Sequence, residues 1–255
     1  MSDYFKYLIP HTATIREALV ALNDLSHDVL VLFVMNKFDQ MVGTLTDGDI
    51  RRYLIGGGEI KDCVCGAMTR SFLFMTEDSP FSTIKEYKDR GISLVPCLDG
   101  KKRILKVINL KKRKSILPID AVLMAGGKGE RLRPLTETIP KPLLHVGDKA
   151  IIDYNVDRLI SYGVEHISVT VNYLGEQLED HFKESRDGIQ VKCVREPQYL
   201  GTIGSIKFVY PFCHDTVLVM NSDLFTNIDY EDFYLHFKEH DADMSVAAVP
   251  YSISV

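Results

Sequence analysis

The sequence is poor in the features that announce extracellular, membrane or covalent chemistry. Its five cysteines (63, 65, 97, 193 and 213) are odd in number and not spaced as a disulfide framework. Cys63-Val-Cys65 has no second pair or nearby histidine to complete a metal site, so reduced structural thiols are expected. The eight histidines are scattered; 145, 181, 214, 236 and 240 show no metal-ligand spacing and are read as surface or core residues. No apolar run reaches the roughly 20 residues of a membrane-spanning helix, and the opening residues show no signal-peptide pattern. A cytoplasmic protein without a membrane partner is the expectation. No serine or cysteine sits with a base in any motif, so no covalent intermediate is indicated. Lys101-Lys-Arg103 and Lys111-Lys-Arg-Lys114 form the basic cluster, but no aromatics interleave them. A solvated linker is therefore expected, and no nucleic-acid partner.

What is present is ordinary in amount and divided in charge. A hydrophobic fraction of 45% and a charged fraction of 25% describe a soluble globular chain, and 255 residues allow two domains. Residues 1–116 carry 18 Lys/Arg against 14 Asp/Glu, net +4; residues 117–255 carry 12 against 21, net −9. The change of sign places a boundary near 115–118, giving expected domains of 1–115 and 118–255.

The richest stretch is Leu123-Met-Ala-Gly-Gly-Lys-Gly-Glu-Arg-Leu-Arg-Pro-Leu-Thr136, followed by Pro140-Lys-Pro142. An apolar strand runs into glycines 126, 127 and 129, where backbone N–H groups can converge on an anion. Lys128, Arg131 and Lys141 bring three cations to the same strand end, as a nucleoside triphosphate requires before another phosphate can attack it. A Walker loop needs Gly-Lys-Ser/Thr opening a helix, which Lys128-Gly129-Glu130 lacks. The dinucleotide fingerprint needs other glycine spacing and an immediate helix, whereas Pro134 and Pro140 keep this loop open.

This segment closely resembles the signature of the sugar-phosphate nucleotidylyltransferases, the nucleotide-sugar pyrophosphorylases, and the resemblance runs over residues 118–255. From 119 onward the pattern alternates: strand 121–124, helix 151–162, strand 166–172, helix 176–182, strand 189–194, helix 203–209, strand 216–220, helix 230–240, strand 243–249. Such alternation predicts a Rossmann-like, mostly parallel sheet with ligands at the carboxyl ends of the strands. Leu200-Gly-Thr-Ile-Gly204 resembles the family segment that closes over nucleotide and sugar, which brings in Gly201 and Thr202. Val217-Leu-Val-Met-Asn-Ser-Asp223 resembles the strand ending in a Mg²⁺-binding aspartate, and Asp223 is the matching position. Hard oxygen ligation suits magnesium.

Residues 1–115 read as two copies, about 1–58 and 59–115, of a β-α-β-β-α unit. The first has a helix at 14–23, strands at 29–35 and 41–45, and a short helix at 47–54. The second has a helix at 81–89, strands at 92–97 and 103–108, and a short helix at 110–114. Gly43-Thr-Leu-Thr-Asp-Gly-Asp49-Ile-Arg-Arg52 resembles the end of a cystathionine-β-synthase (CBS) domain, and the pair resembles a Bateman module. In that family the residues matching Thr46 and Asp49 hold a nucleotide's phosphate and ribose; the alternative is that Thr46 merely caps a helix. In the second copy Asn109 and Lys112 replace them, so one adenine nucleotide (AMP or ATP) or none is expected.

The resemblance implies an enzyme that makes NDP-sugar and pyrophosphate from NTP and sugar 1-phosphate, with Mg²⁺ as cofactor. Leu123, Ala125, Gly126, Gly127, Lys128 and Gly129 would wrap the nucleotide, and Arg131, Lys141 and Asp223 would carry catalysis. Aligned on Pro197, Glu196 falls at the base-recognition position. A carboxylate there matches guanine, although Glu196 facing solvent or pairing with Arg195 or a lysine stays open. GTP is preferred over UTP. Family members continue past Val255, so the chain is expected to be a truncated product that lacks a sugar-phosphate lysine and a second metal aspartate. These 255 residues alone are therefore expected to turn over slowly at most. The alternative function is a non-catalytic adenine-nucleotide sensor, and a homodimer or higher oligomer is expected through the CBS pair.

Overall fold

The computed structural model describes residues 4–248 except 81, 199 and 202. The chain folds as two compact units, Met1–Lys114 and Ser115–Val255.

In the first unit β1 (Leu8–Pro10) pairs in parallel with β2 (Val31–Met35), which pairs antiparallel with β3 (Met41–Thr46). Between β1 and β2 runs α1 (Ile15–Asp24), opened by a capping box in which Thr14 and Glu17 exchange hydrogen bonds. Its apolar positions Ile15, Ala18 and Leu22 fall on one face and are buried. The helix α2 (Asp47–Ile55) follows β3 directly. The second copy contributes α3 (Ser82–Asp89) and the antiparallel pair β4 (Leu94–Leu98) and β5 (Ile104–Asn109). Met75 bridges Cys97 in parallel, the same partnership that β1 makes with β2. Both copies share one apolar core, in which Phe33, Leu32, Leu45 and Ile50 from the first meet Leu94, Leu98 and Ile104 from the second.

The copies differ at their last element. The helix expected at 110–114 does not form; the chain turns there, with the Asn109 carbonyl accepting from Lys112 and Arg113 and the Asn109 side chain from the Lys111 N–H. The cause lies in the same substitutions that separate the copies. Thr46 and Asp49 make a capping box for α2, whereas Lys112 offers no acceptor for the reciprocal bond, and four successive cations repel along a helix.

The second unit is built on a four-stranded parallel sheet, which bears out the α/β class. Its strands are β6 (Asp120–Met124), β9 (His166–Val171), β10 (Lys192–Arg195) and β11 (Val217–Asn221), in the order β10-β9-β6-β11. Between β6 and β9 come a small hairpin, β7 (His145–Val146) and β8 (Lys149–Ala150), that the sequence pattern does not reveal, and then α4 (Ile151–Ser161). Helix α5 (Gly175–His181) links β9 to β10, and α6 (Tyr230–Glu239) follows β11. The central strand β6 is buried along nearly its whole length, which is why it reads as an unbroken apolar run.

Three expected elements change. Residues 204–208 form a 3₁₀ helix in place of the α-helix at 203–209. The strand expected at 189–194 is shifted to β10, because Ile189 is taken up in a bridge with Arg186. The strand expected at 243–249 is absent over 243–248, while Val249 lies outside the described residues. Met244 and Val246 there are 72% and 71% exposed. A short run of mixed residues becomes a strand only when a neighbour pairs and covers it.

One glycine fixes how α4 returns to β6. Gly163 has φ +78°, ends the helix, and lies against the incoming chain; a Cβ there would sit 2.5 Å from Ile116 Cα and 2.6 Å from the Ser115 carbonyl oxygen. Those neighbours are backbone and cannot swing away. Gly163→Ala is expected to cost about 3 kcal/mol, strain and clash together, read as a lower urea midpoint. A loss under about 1 kcal/mol would contradict this account.

Candidate active site

The carboxyl ends of β6 and β11 and the glycine loop enclose a cleft of about 840 Å³. Its position follows from the sheet: in an open parallel sheet the loops leaving the strand ends part and leave a crevice. The loop itself is shaped by its glycines. At Gly129 φ is +61°, and a Cβ would meet Thr136 Cγ2 at 3.0 Å and Lys141 Cβ at 3.2 Å. The Thr136 hydroxyl donates to the Gly129 carbonyl at 2.9 Å, fastening the loop back on itself. At Gly126 a Cβ would lie 2.7 Å from Glu196 Oε1. Short 3₁₀ turns at Glu130–Leu132, Leu135–Glu137 and Lys141–Leu143 carry the chain around the mouth.

The structure brings most of the sequence candidates together. Ala125, Gly126, Gly127, Lys128, Gly129, Arg131, Lys141, Glu196, Gly201 and Asp223 all line the cleft. Leu123 does not: it is fully buried inside β6, so its side chain serves the core. Thr202 lies outside the described residues. Asn172, at the end of β9, also lines the cleft, and it donates to the Glu196 carbonyl at 3.2 Å. The sequence pattern marks it as a strand end without marking its side chain. Asn221 and Ser222 join Asp223 on the wall made by β11.

Two features set the chemistry of the cleft. Lys141 Nζ forms an ion pair with Asp223 Oδ2, so the cation from the Pro-Lys-Pro turn and the carboxylate from β11 face each other beside the loop. Both side chains keep some solvent contact, 41% and 21% exposed. Glu196 is the second feature. It is only 5% exposed, and its Oε2 has no hydrogen-bond partner among the described residues. Arg195 does not pair with it, because that guanidinium binds Glu176 at 2.8 Å and Glu179 at 3.0 Å. A buried carboxylate oxygen without a donor is costly unless something else supplies one.

The Asp223 wall is held from behind by α4. Asn155 donates to the Ser222 carbonyl at 3.0 Å, and the Ser222 hydroxyl donates to the Met124 carbonyl at 2.8 Å. Arg158 donates to the carbonyls of Thr226 and Ile228 and so clamps the loop beyond.

Known protein families match two parts of the chain. Residues 120–254 match the nucleotidyl transferase family, and residues 6–56 match the CBS domain. The chain belongs to the nucleotidyl transferase family. A CBS domain precedes its nucleotidyltransferase domain. Over 125 residues the chain is 34% identical to the mannose-1-phosphate guanylyltransferase catalytic subunit beta of Danio rerio, covering 47% of this chain and 35% of that one. Over 118 residues it is 31% identical to the D-glycero-alpha-D-manno-heptose 1-phosphate guanylyltransferase of Campylobacter jejuni, covering 46% and 53%. The chain thus spans about a third to a half of the length of these relatives. A solved CBS domain protein from Pyrobaculum aerophilum, complexed with AMP, aligns with a TM-score of 0.35 and 17% identity, covering 41% of this chain and 79% of that one. No helix among the described residues is long and apolar enough to cross a membrane.

In the first unit a smaller cleft of about 370 Å³ is lined by both copies, including Val29, Val31, Thr46, Phe72 and Ile92. Thr46 reaches it while engaged in its capping box. Asp49 Oδ2 accepts the Thr46 N–H at 2.8 Å and its hydroxyl at 2.6 Å, and Oδ1 accepts from Arg52 at 2.6 Å and Thr69 at 3.3 Å. Burial opposes ionisation of Asp49, but the bonds from Thr46 and Arg52 outweigh it and hold the carboxyl below its usual range. Thr46 therefore caps α2, and both Asp49 oxygens accept hydrogen bonds.

Proposed function

We propose that this chain's nucleotidyltransferase domain transfers a nucleotidyl group from a nucleoside triphosphate to a sugar 1-phosphate. A phosphate oxygen of the sugar attacks the α-phosphorus in line, the bond to the bridging oxygen breaks, and pyrophosphate leaves with its electron pair. The observation that carries this reading is the glycine loop at the end of β6 facing the Lys141–Asp223 pair. Such a reaction asks for alignment and charge neutralisation, not for a protein nucleophile. Loop N–H groups would hold the phosphates, and Arg131 and Lys141 would neutralise them. Asp223 already holds a cation, the Lys141 ammonium, and offers the hard carboxylate oxygen that Mg²⁺ takes. A bound Mg²⁺ would supply further charge neutralisation at the phosphates. The guanylyltransferase relatives and the buried Glu196 support GTP as the donor. The test is titration with GTP, UTP, ATP and CTP, followed by assay of pyrophosphate release with sugar 1-phosphates. GTP binding that depends on the cleft is expected; no nucleotide binding at millimolar concentration would overturn the reading.

For the CBS pair, the 370 Å³ cleft supports a second reading, an adenine-nucleotide site that regulates or assembles the protein. With Thr46 and Asp49 committed to each other, a ligand gains Thr46 only by breaking a cap bond. At most one weakly held AMP or ATP per chain is expected by calorimetry. Two equivalent nucleotides per chain would contradict the argument from Asn109 and Lys112.

A further inference from the structure

A second cluster of ligand-type side chains lies at the opposite end of the sheet from the cleft. Asp120 begins β6, His166 begins β9, and these two are register partners on adjacent parallel strands. Cys213 and His214 lie in the turn that leads into β11, and the Asp120 N–H donates to the Thr216 carbonyl at the head of that strand. The carboxylate of Asp120, the ring nitrogens of His166 and the sulfur of Cys213 offer ligand atoms that all lie within 4.8 Å of one another. His214 Nδ1 lies 3.1 Å from Asp120 Oδ1, and the rings of His166 and His214 are 5.4 Å apart between centroids.

From this convergence we infer that Asp120, His166 and Cys213 form a Zn²⁺ site, with His214 hydrogen-bonded to the Asp120 carboxylate beside it. The donor set is one carboxylate oxygen, one imidazole and one thiolate, leaving a fourth tetrahedral position for water, which suits zinc and does not suit Mg²⁺. Zinc bonds of about 2.0–2.3 Å put tetrahedral ligand atoms about 3.3–3.8 Å apart. The three ligand atoms, within 4.8 Å of one another, need to close by about 1 Å, which the exposed His166 and Cys213 side chains can do. They also leave the site open to solvent, so a metal can enter. Asp120 is the anchor, 4% exposed, with Oδ2 held by the N–H groups of Cys213 at 2.6 Å and His214 at 3.2 Å. Those bonds orient the carboxylate, and Oδ1, which faces His214 Nδ1, keeps a lone pair for a metal. A purely structural role for Asp120, pinning the 213–214 turn, accounts for those two bonds. It does not account for a thiol and a second imidazole converging on the same carboxylate.

A metal here would tie together the starts of β6 and β9 and the entry to β11. The cleft lies at the far end of these strands, about 13 Å away at 3.3 Å per residue. The site is therefore separate from Asp223 and has no part in the transfer reaction.

The test is Co²⁺ titration of the metal-stripped full chain, read by absorption. One equivalent of Co²⁺ is expected to give a thiolate-to-cobalt charge-transfer band with visible bands of tetrahedral intensity, and Zn²⁺ should displace it. Cys213→Ser should abolish the charge-transfer band, and His166→Gln should weaken Co²⁺ about tenfold or more. The band should survive Asp223→Asn and the double change Cys63→Ser, Cys65→Ser. Zn²⁺ should also raise Tm in the wild type and not in Cys213→Ser, since a ligand bound only by the folded state stabilises it. Absence of the band in the wild type, or its loss with Cys63 and Cys65 instead of Cys213, would overturn the assignment. If Cys213→Ser does not fold, the wild-type spectrum and His166→Gln decide alone.

Discussion

In a chain extended to the length of its relatives, Lys141→Ala is expected to lower nucleotidyl transfer by about 100- to 1000-fold while leaving the fold intact. The magnitude is that of removing one preorganised donor from a site where negative charge develops, about 2.7–4 kcal/mol. Lys141 is placed for such a role by its turn. Pro140 and Pro142 restrict the backbone on either side, and the ammonium reaches across the loop to the carboxylate at the end of β11. Both partners are partly solvated, so the ion pair itself contributes little to folding, within about 1 kcal/mol. Asp223→Asn is expected to cause a loss of similar size, because the hard anionic ligand for a divalent cation is gone while the shape is kept. The measurement is pyrophosphate release, with Tm recorded for each variant. Turnover above a tenth of wild type in either variant would remove Lys141 and Asp223 from the machinery. A fall in Tm of ten degrees or more would reassign the effect to stability.

The same reasoning explains why the wall behind Asp223 is built from α4. Aspartate at a strand end is useful only if the following loop holds still. Asn155 and Arg158, spaced three apart on one helix face, take the carbonyls of Ser222, Thr226 and Ile228. Nothing in their spacing shows this, because any amphipathic helix carries such polar residues at its margins.

That contrast runs through the whole chain. The order of β6, its glycine loop and the β11 carboxylate is legible in the sequence, because a fully buried parallel strand is a continuous apolar run and glycines mark where backbone must come close. The CBS-like pair is legible for the same reason, as a repeated order of apolar segments. The rest depends on tertiary context. Residues 110–114 lack the reciprocal cap that makes α2, and 243–248 have the propensity of a strand without a neighbour. Leu123 points to the nucleotide by its place in a motif, although a central strand turns that side chain into the core. The Asp120, His166 and Cys213 cluster has no ligand spacing in the sequence because its members are far apart in the chain. Only the register of β6 on β9 brings the first two side by side.

Glu196 shows what the structure adds to a residue the sequence could only place, and it carries the last expected result. Glu196→Gln should reduce the preference for GTP over UTP by about 5- to 150-fold, the equivalent of the ~1–3 kcal/mol at stake when a buried acceptor is left unpaired. The carboxylate has lost solvent, packs against Gly126, and keeps one oxygen without a donor among the described residues. Arg195 next to it is turned away to Glu176 and Glu179. A carboxylate accepts hydrogen bonds and donates none. Guanine presents two adjacent donors, N1–H and the N2 amino group, which can satisfy both oxygens together. Uracil presents one donor between two carbonyl oxygens, so a carboxylate facing it meets repulsion on either side. Glutamine keeps the size and one acceptor but turns the other position into a donor, which guanine's donor pair cannot use and uracil's carbonyl can. Competition binding of GTP and UTP to wild type and variant measures the ratio directly. Equal affinities in the wild type, or an unchanged ratio in Glu196→Gln, would show that the base is read elsewhere. A gain in UTP affinity accompanying the loss of GTP affinity would locate base recognition at this one side chain.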